Sequence, residues 1–231
     1  MTVLLLILFT GACEMNEHAF HDSPTNDTSN DTNTSETVNA DTDAGTPDYA
    51  PINELNQLFV TTVRSAGGVN ATRNLLIDGF GTDIEKTCVD ALEVPTDPAG
   101  ADKLMLSVHY YTPYPFSQMS DPETWEGIWT APRTTWGTEE DLTELRNLLS
   151  LAAAFSTERG LPVIISEFAV TPGSGSYVRE SASRVLWMKS TMETSLSLNM
   201  VPIVWDFGTD ISRSDGSFSA DFSAAVSGLG Q

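Results

Sequence analysis

Apolar and polar positions follow two periods along residues 50–231, and these periods divide this part of the chain into strands and helices. Four short, almost continuous apolar runs are typical of strands buried on both faces of a parallel sheet. Between them, apolar residues recur every three or four positions, which predicts amphipathic helices. The predicted strands are NLLIDGF (74–80), LMLSVHYY (104–111), LPVIISEF (161–168) and VPIVWDF (201–207).

The predicted helices alternate with these strands, which indicates an α/β fold with a parallel sheet. The first helix begins near Pro51 and ends at Gly67-Gly68. In the longest, Thr138 is expected to cap the N-terminus and Gly160 to end the helix. Four βα units fit this pattern, whereas a complete eight-fold barrel needs about 250 residues. The other predicted helices cover residues 139–158, 178–199 and 220–229.

The N-terminus carries an apolar run at residues 3–9, followed by Gly11, Ala12 and Cys13. The run is shorter than the roughly 20 residues that span a bilayer. It resembles the apolar core of a bacterial secretory signal, and the small residues before Cys13 resemble a lipoprotein cleavage box. We expect residues 1–13 to be a signal peptide with Cys13 as a candidate lipidation site. The protein would then be secreted or an outer-surface lipoprotein; the alternative is a misassigned start with an incidental cysteine.

Residues 14–49 are rich in Asn, Asp, Thr, Ser and Glu and contain few large apolar side chains. Such a segment cannot bury enough surface to offset the conformational entropy that folding removes. We therefore predict a disordered acidic linker over residues 14–49 and a folded domain over residues 50–231.

Charge and cysteine content exclude several classes of function. The chain has 32 acidic and 11 basic residues, for a net charge of −21, so it should repel nucleic acid and suit a neutral partner such as a polysaccharide. Two distant cysteines, Cys13 and Cys88, do not make a disulfide framework or a zinc site. We expect Cys88 to be a free thiol with a structural role, and the three scattered histidines to bind no metal.

Candidate chemistry lies where the predicted strands end, because functional residues of parallel α/β folds gather at the C-terminal ends of strands. His109 and Tyr111 end the second strand, Glu167 ends the third, and Trp205 ends the fourth. A carboxylate at the end of an apolar strand is costly to bury unless it is paired or used. The alternatives are that Glu167 caps the next loop, that His109 is structural and that Trp205 belongs to the core.

The loop over residues 112–136 is rich in aromatic residues. Their flat rings suit a carbohydrate cleft, although the loop could instead pack on the rim of the fold. The residues in question are Tyr114, Phe116, Trp125, Trp129 and Trp136.

The stretch from Ile52 to Asp210 resembles glycoside hydrolase family 5, the cellulase-type (β/α)₈ enzymes. His-x-Tyr on one strand, Ile-x-Glu on the next and Trp on the last appear in it together and in order. The matching segments are INELNQLFVTTVRSAGGVNATRNLLI, KLMLSVHYYTP, TWGTEEDLTEL, GLPVIISEFAV, ESASRVLWMKS and VPIVWDFG.

This resemblance implies a partial (β/α)₈ TIM barrel made of strands five to eight with their helices. It makes Glu167 the nucleophile of a retaining glycosidase and Tyr111 a hydrogen-bond donor to it. His109 and Tyr111 would surround the reacting sugar, and Trp205 would form the aromatic floor of the −1 subsite. The implied substrate is a β-linked polysaccharide or oligosaccharide, most commonly a β-1,4-glucan cleaved by endoglucanase activity without a cofactor.

A retaining glycosidase needs a second carboxyl group about 5–5.5 Å from the nucleophile. In this family it is the Glu of an Asn-Glu-Pro motif that ends strand four. Asn53-Glu54 is followed by Leu55 and opens a helix, so we interpret Glu54 as a first-turn carboxylate favoured by the helix dipole. We therefore expect strands one to four and the acid/base residue to be missing from the chain.

Three hypotheses follow. The first is a family 5 glycosidase, secreted or lipid-anchored, that acts on a β-1,4-glucan. The second is a catalytically impaired remnant that binds carbohydrate through its aromatic residues. The third is a truncated gene product without a function of its own.

Overall fold

In a computed structural model, residues 47–125 and 128–229 are described, without the side chains of residues 123–129. The described residues belong to one compact unit. The predicted signal peptide, Cys13 and nearly all of the predicted linker lie outside them. The boundary at residue 50 therefore stays a prediction.

The secondary structure follows the predicted alternation of strands and helices. The strands are β1 (Leu75–Asp78), β2 (Leu104–Tyr110), β3 (Glu123–Trp125), β4 (Ile128–Thr130), β5 (Val163–Phe168) and β6 (Val201–Val204). The helices are α1 (Ala50–Ser65), α2 (Ile84–Thr87), α3 (Tyr114–Ser117), α4 (Glu139–Arg159), α5 (Ser181–Ser197) and α6 (Ala220–Val226).

Four of the described strands form one parallel sheet in the order β1-β2-β5-β6, while β3 and β4 form a separate antiparallel hairpin. Each new strand of the parallel sheet lies beside the previous one in chain order. Successive strands of a (β/α)₈ barrel are neighbours in this way. In a doubly wound sheet, by contrast, the order of the strands reverses at a switch point. The prediction of a four-stranded part of a barrel is confirmed.

The two faces of β2 differ in burial because successive side chains of a strand point to opposite faces. His109 and Met105 lie half-buried on one face. On the other face, Trp187 of α5 stacks on Tyr110 at a centroid distance of 5.6 Å and donates its indole N–H to the carbonyl of Thr112. The residues buried on that helix-covered face are Leu104, Leu106, Val108 and Tyr110.

Helix α4 begins and ends where the sequence predicts. Thr138 and Asp141 form a capping box, in which the Thr138 hydroxyl accepts from the backbone N–H of Asp141 and the Asp141 carboxylate accepts from the backbone N–H of Thr138. Gly160 ends the helix in the left-handed conformation, with φ of 61°. The acidic residues in the first turn and Arg159 in the last turn stabilise the helix through their interaction with its dipole.

Two buried arginines join the loops at the C-terminal edge of the sheet. Arg179, 3% exposed, donates from Nε to the carbonyl of Phe116 at 2.7 Å and from Nη2 to the carbonyl of Met119. It thereby connects the loop after β5 to the loop after β2. Arg184 of α5 contacts the carboxylates of Asp210 and Asp221 and so fixes the segment between β6 and α6.

Candidate active site

Glu167 lies near the C-terminal end of β5, beside the end of β2. The pairing between these strands is irregular there, because Val108 lies opposite Ile165 and the next pair is His109 with Glu167. Ser166 is the extra residue of a β-bulge. Glu167 consequently faces the same side of the sheet as His109.

Two side chains of β2 and its end converge on one oxygen of Glu167. The Tyr111 hydroxyl donates a hydrogen bond of 2.8 Å to Oε2, and Nδ1 of His109 lies 3.3 Å from the same atom. The rings of His109 and Tyr111 meet edge to face at 6.2 Å. The His109 and Glu167 side chains are 28% and 27% exposed, so the carboxylate is held in place and still reachable from solvent.

Burial and charge set the protonation of these groups. Burial lowers the pKa of His109 below its ordinary value of 6.5, while the negative charges of Glu167 and Asp78 act in the opposite direction. Burial, followed by the hydrogen bond to Glu167, raises the pKa of Tyr111 far above its ordinary value. At neutral pH, Tyr111 is therefore a protonated donor and His109 is mainly uncharged.

Trp205 follows β6 directly and stands beside the end of β5. Its backbone N–H donates to the carbonyl of Phe168 at 3.0 Å, and its ring meets Phe207 edge to face at 6.4 Å. The side chain is 37% exposed, which excludes the interpretation that Trp205 belongs to the core. An exposed indole at the strand end next to β5 is a suitable surface for a sugar ring.

Two aromatic side chains of the loop after β2 pack against the fold and line no cleft, whereas Tyr114 is half-buried. Phe116 is fully buried, Trp136 is 5% exposed, and the two rings stack at 6.5 Å. The alternative of packing against the fold is correct for these two residues. The side chains of Trp125 and Trp129 lie outside the described part of the structure.

A family model described as "Cellulase (glycosyl hydrolase family 5)" matches residues 15–210 of this chain. The chain belongs to glycosyl hydrolase family 5. The match begins inside the segment predicted to be a linker and ends just after the segment that carries Trp205.

The chain is also similar in sequence to individual glucanases. The chain is 33% identical over 172 residues to Endoglucanase A of Paenibacillus barcinonensis, covering 69% of this chain and 42% of that protein. It is 29% identical over 187 residues to a xyloglucan-specific endo-beta-1,4-glucanase of Bacteroides ovatus, covering 76% of this chain and 36% of that protein. The chain therefore spans less than half of the length of either curated relative.

A solved structure of family 5 has the same fold. It is a GH5-4 broad specificity endoglucanase from an uncultured bovine rumen ciliate, with a TM-score of 0.68 and 30% sequence identity. The similarity covers 77% of this chain and 53% of that chain. The parallel sheet described above is thus part of a family 5 barrel.

Glu54 lies in a helix, as predicted, but the prediction that it belongs to the first turn is wrong. Helix α1 begins at Ala50, so Glu54 lies beyond the first turn and no acidic residue occupies that turn. Its side chain is exposed, and the neighbouring Asn53 binds the backbone of Ala91 and Glu93. None of these contacts relates Glu54 to Glu167.

Sequence reasoning missed three polar residues around the site. Asp78 ends β1 and adds its charge to the surroundings of His109. Ser107 and Ser166 form a hydroxyl pair at the bulge, with 2.7 Å between their Oγ atoms. The position of Asp78 at a strand end was a usable signal, but no pattern in a single sequence predicts the bulge.

The remaining site predictions concern metals, membranes and Cys88. Within residues 47–125 and 128–229, no group of three or more His, Cys, Asp or Glu side chains is arranged to hold a metal ion. No helix in this part of the chain is long and apolar enough to cross a membrane. Cys88 is a buried free thiol, as expected, and burial raises its pKa to about 12.

Proposed function

We propose that this protein hydrolyses internal β-1,4 linkages of a glucan with retention of anomeric configuration, using Glu167 as the nucleophile. The observation that carries the proposal is the arrangement of Tyr111 and His109 around Oε2 of Glu167 at the C-terminal edge of the sheet. A nucleophilic carboxylate must be ionised and oriented toward the carbon that it attacks. A hydrogen-bond donor to the ionised carboxylate favours the charge and fixes the orientation.

Each residue has a distinct task in this proposal. Glu167 attacks the anomeric carbon, the bond to the leaving oxygen breaks, and a covalent glycosyl-enzyme forms that water then hydrolyses. Tyr111 holds the carboxylate by its hydrogen bond. His109, mainly uncharged, lies beside the same oxygen as a polar contact for the reacting sugar, and the exposed indole of Trp205 supports the sugar ring.

The mechanism also needs a second carboxyl group, which protonates the leaving oxygen and later activates water. Glu54 does not fit that task, since it is exposed on α1 and has no contact in common with Glu167. None of the side chains that the structure describes is assigned this role. Binding without turnover is therefore a distinct outcome of the activity test.

The substrate class is proposed from the relatives. Their names specify endoglucanase and xyloglucan-specific endo-beta-1,4-glucanase activities. A net charge of −21 suits a neutral β-1,4-glucan better than an anionic polymer. Cellulose-type chains and xyloglucan are the substrates to test first.

The test measures release of reducing ends from hydroxyethylcellulose and xyloglucan, which are both neutral polymers, by the full chain. Glu167→Gln should abolish release, whereas the matched control Glu193→Gln, at an exposed position on α5, should leave it unchanged. NMR of the first product formed should show the β-anomer. Retention on insoluble glucan without release of reducing ends would support a carbohydrate-binding protein and overturn the proposed hydrolase.

We also propose that the protein is exported and lipidated at Cys13. The support is the apolar run at residues 3–9 followed by Gly11, Ala12 and Cys13. In a bacterial host fed radiolabelled palmitate, the wild type should be labelled and fractionate with membranes. Cys13→Ala should remain unlabelled, and equal labelling of both proteins would refute the proposal.

A further inference from the structure

Strand β5 is irregular at the point where it presents Glu167. A regular strand would alternate, so Glu167 would share a face with Ile165, which is fully buried toward the helices. The extra residue Ser166 reverses this alternation. It places Glu167 opposite His109 on the face that carries the candidate site.

Two hydroxyl groups meet at this bulge. The Oγ atoms of Ser107 and Ser166 are 2.7 Å apart, and Ser166 also donates to the carbonyl of Val108 at 3.3 Å. Either hydroxyl can donate to the other, and when Ser166 donates to Val108 it accepts from Ser107. Ser107 is 3% exposed, so its hydroxyl would be buried without compensation if the pair were broken.

The bonded chain Ser107–Ser166–Val108 spans the place where the regular pairing of β2 with β5 is interrupted. It connects the extra residue of β5 to the backbone of β2, directly before His109 and Glu167. Neither serine is among the groups that contact the Glu167 carboxylate. Their influence on it is therefore through the backbone of the bulge.

We propose that Ser107 and Ser166 are positioning residues, whose hydroxyl pair holds the bulge in β5 that turns Glu167 toward His109 and Tyr111. The inference rests on the proposed function, because it gives the orientation of Glu167 a catalytic purpose. The competing explanation is that strand pairing alone sets the bulge and that the hydroxyls follow it passively.

The test compares Ser166→Thr with Ser166→Val, which add side chains of the same shape and differ in the hydroxyl. The readout is the pKa of His109, measured by NMR of its ring protons in the full chain. The three histidines are assigned by substituting His18 and His21 in turn. The titratable groups facing His109 are Glu167, Tyr111 and Asp78.

The negative charge of Glu167 raises the pKa of His109, so a carboxylate that turns away leaves that pKa lower. Glu167→Gln provides the value that is reached when the charge is removed. We expect Ser166→Val to shift the His109 pKa down toward the Glu167→Gln value and Ser166→Thr to keep the wild-type value. A wild-type value in the Val variant, or equal shifts in both variants, would overturn the proposal.

A second variant decides the question if Ser166→Val shows no cooperative thermal transition. Ser107→Ala removes one hydroxyl of the pair without adding bulk, and a wild-type His109 pKa in that protein would also overturn the proposal. The titration needs no substrate. A chain without glucanase activity would end the proposed function, whereas this measurement would still decide the role of the two serines.

Discussion

The Tyr111 hydroxyl and the Glu167 carboxylate, 56 residues apart in the chain, are joined by a hydrogen bond of 2.8 Å. It connects the end of β2 to β5, and it ends on the oxygen that His109 also approaches. The orientation of Glu167 on β5 thus depends on two side chains from β2 and its end.

Tyr111→Phe removes this donor and should lower kcat/KM on a β-1,4-glucan by about tenfold or more, since a hydrogen bond to a charged group contributes roughly 1.5–3 kcal/mol. Steady-state kinetics of the wild type and Tyr111→Phe check this loss, and an unchanged kcat/KM would show that the bond does not influence the carboxylate.

His109 should make folding stability depend on pH. Its pKa is lowered in the folded protein because burial disfavours the charged ring, so the unfolded chain binds the proton more readily. The contribution of the uncharged His109 ring to the free energy of unfolding is fully present above the pKa that His109 has in the unfolded chain. It is lost as pH falls through the lower pKa that His109 has in the folded protein.

Urea unfolding at a series of pH values between about 7.5 and about 5 should show this loss in the wild type. His109→Gln, which cannot titrate, should lose less stability over the same interval. Parallel curves for the two proteins would contradict the prediction.

Cys88 should react slowly with thiol reagents in the native protein. It is 7% exposed, and burial raises its pKa to about 12. The thiolate fraction at about pH 8 is then lower by about a thousandfold than in an ordinary thiol. In a Cys13→Ser background, iodoacetamide should modify Cys88 at least about a hundredfold faster after unfolding in urea. Similar native and unfolded rates would mean that the thiol is accessible.

Arg184→Met should destabilise the domain strongly, because it leaves the carboxylates of Asp210 and Asp221 without their shared partner. Breaking a buried pair in this way costs about 3–5 kcal/mol. The control is Arg146→Met, whose pair with Glu139 is exposed and contributes about 0–1 kcal/mol. Urea denaturation of both variants checks the difference, and a small loss for Arg184→Met would contradict the buried-pair argument.

Much of the fold could be predicted from local patterns. The apolar runs and the cap at Thr138 are properties of neighbouring residues, so the strands and helix α4 are found nearly where expected. His109 and Tyr111 are two positions apart, which predicts that they lie on one face of the strand predicted over residues 104–111 without any tertiary information.

The orientation of Glu167 could not be predicted in this way. Strict alternation would direct it into the core with Ile165, and only the pairing of β5 with its neighbours β2 and β6 shows that the strand holds an extra residue. Burial of Trp136 against Phe116 also depends on tertiary packing, since aromatic residues in a polar loop fit a cleft and a rim equally well.

The buried guanidinium of Arg179 also affects how the domain can vary by recombination. It binds the carbonyls of Phe116 and Met119 in the loop after β2, although it belongs to the loop after β5. A chimera that took only one of these loops from a protein whose loops pack differently would leave a buried charge or buried carbonyls without partners. The two loops should therefore be exchanged together when such chimeras are made.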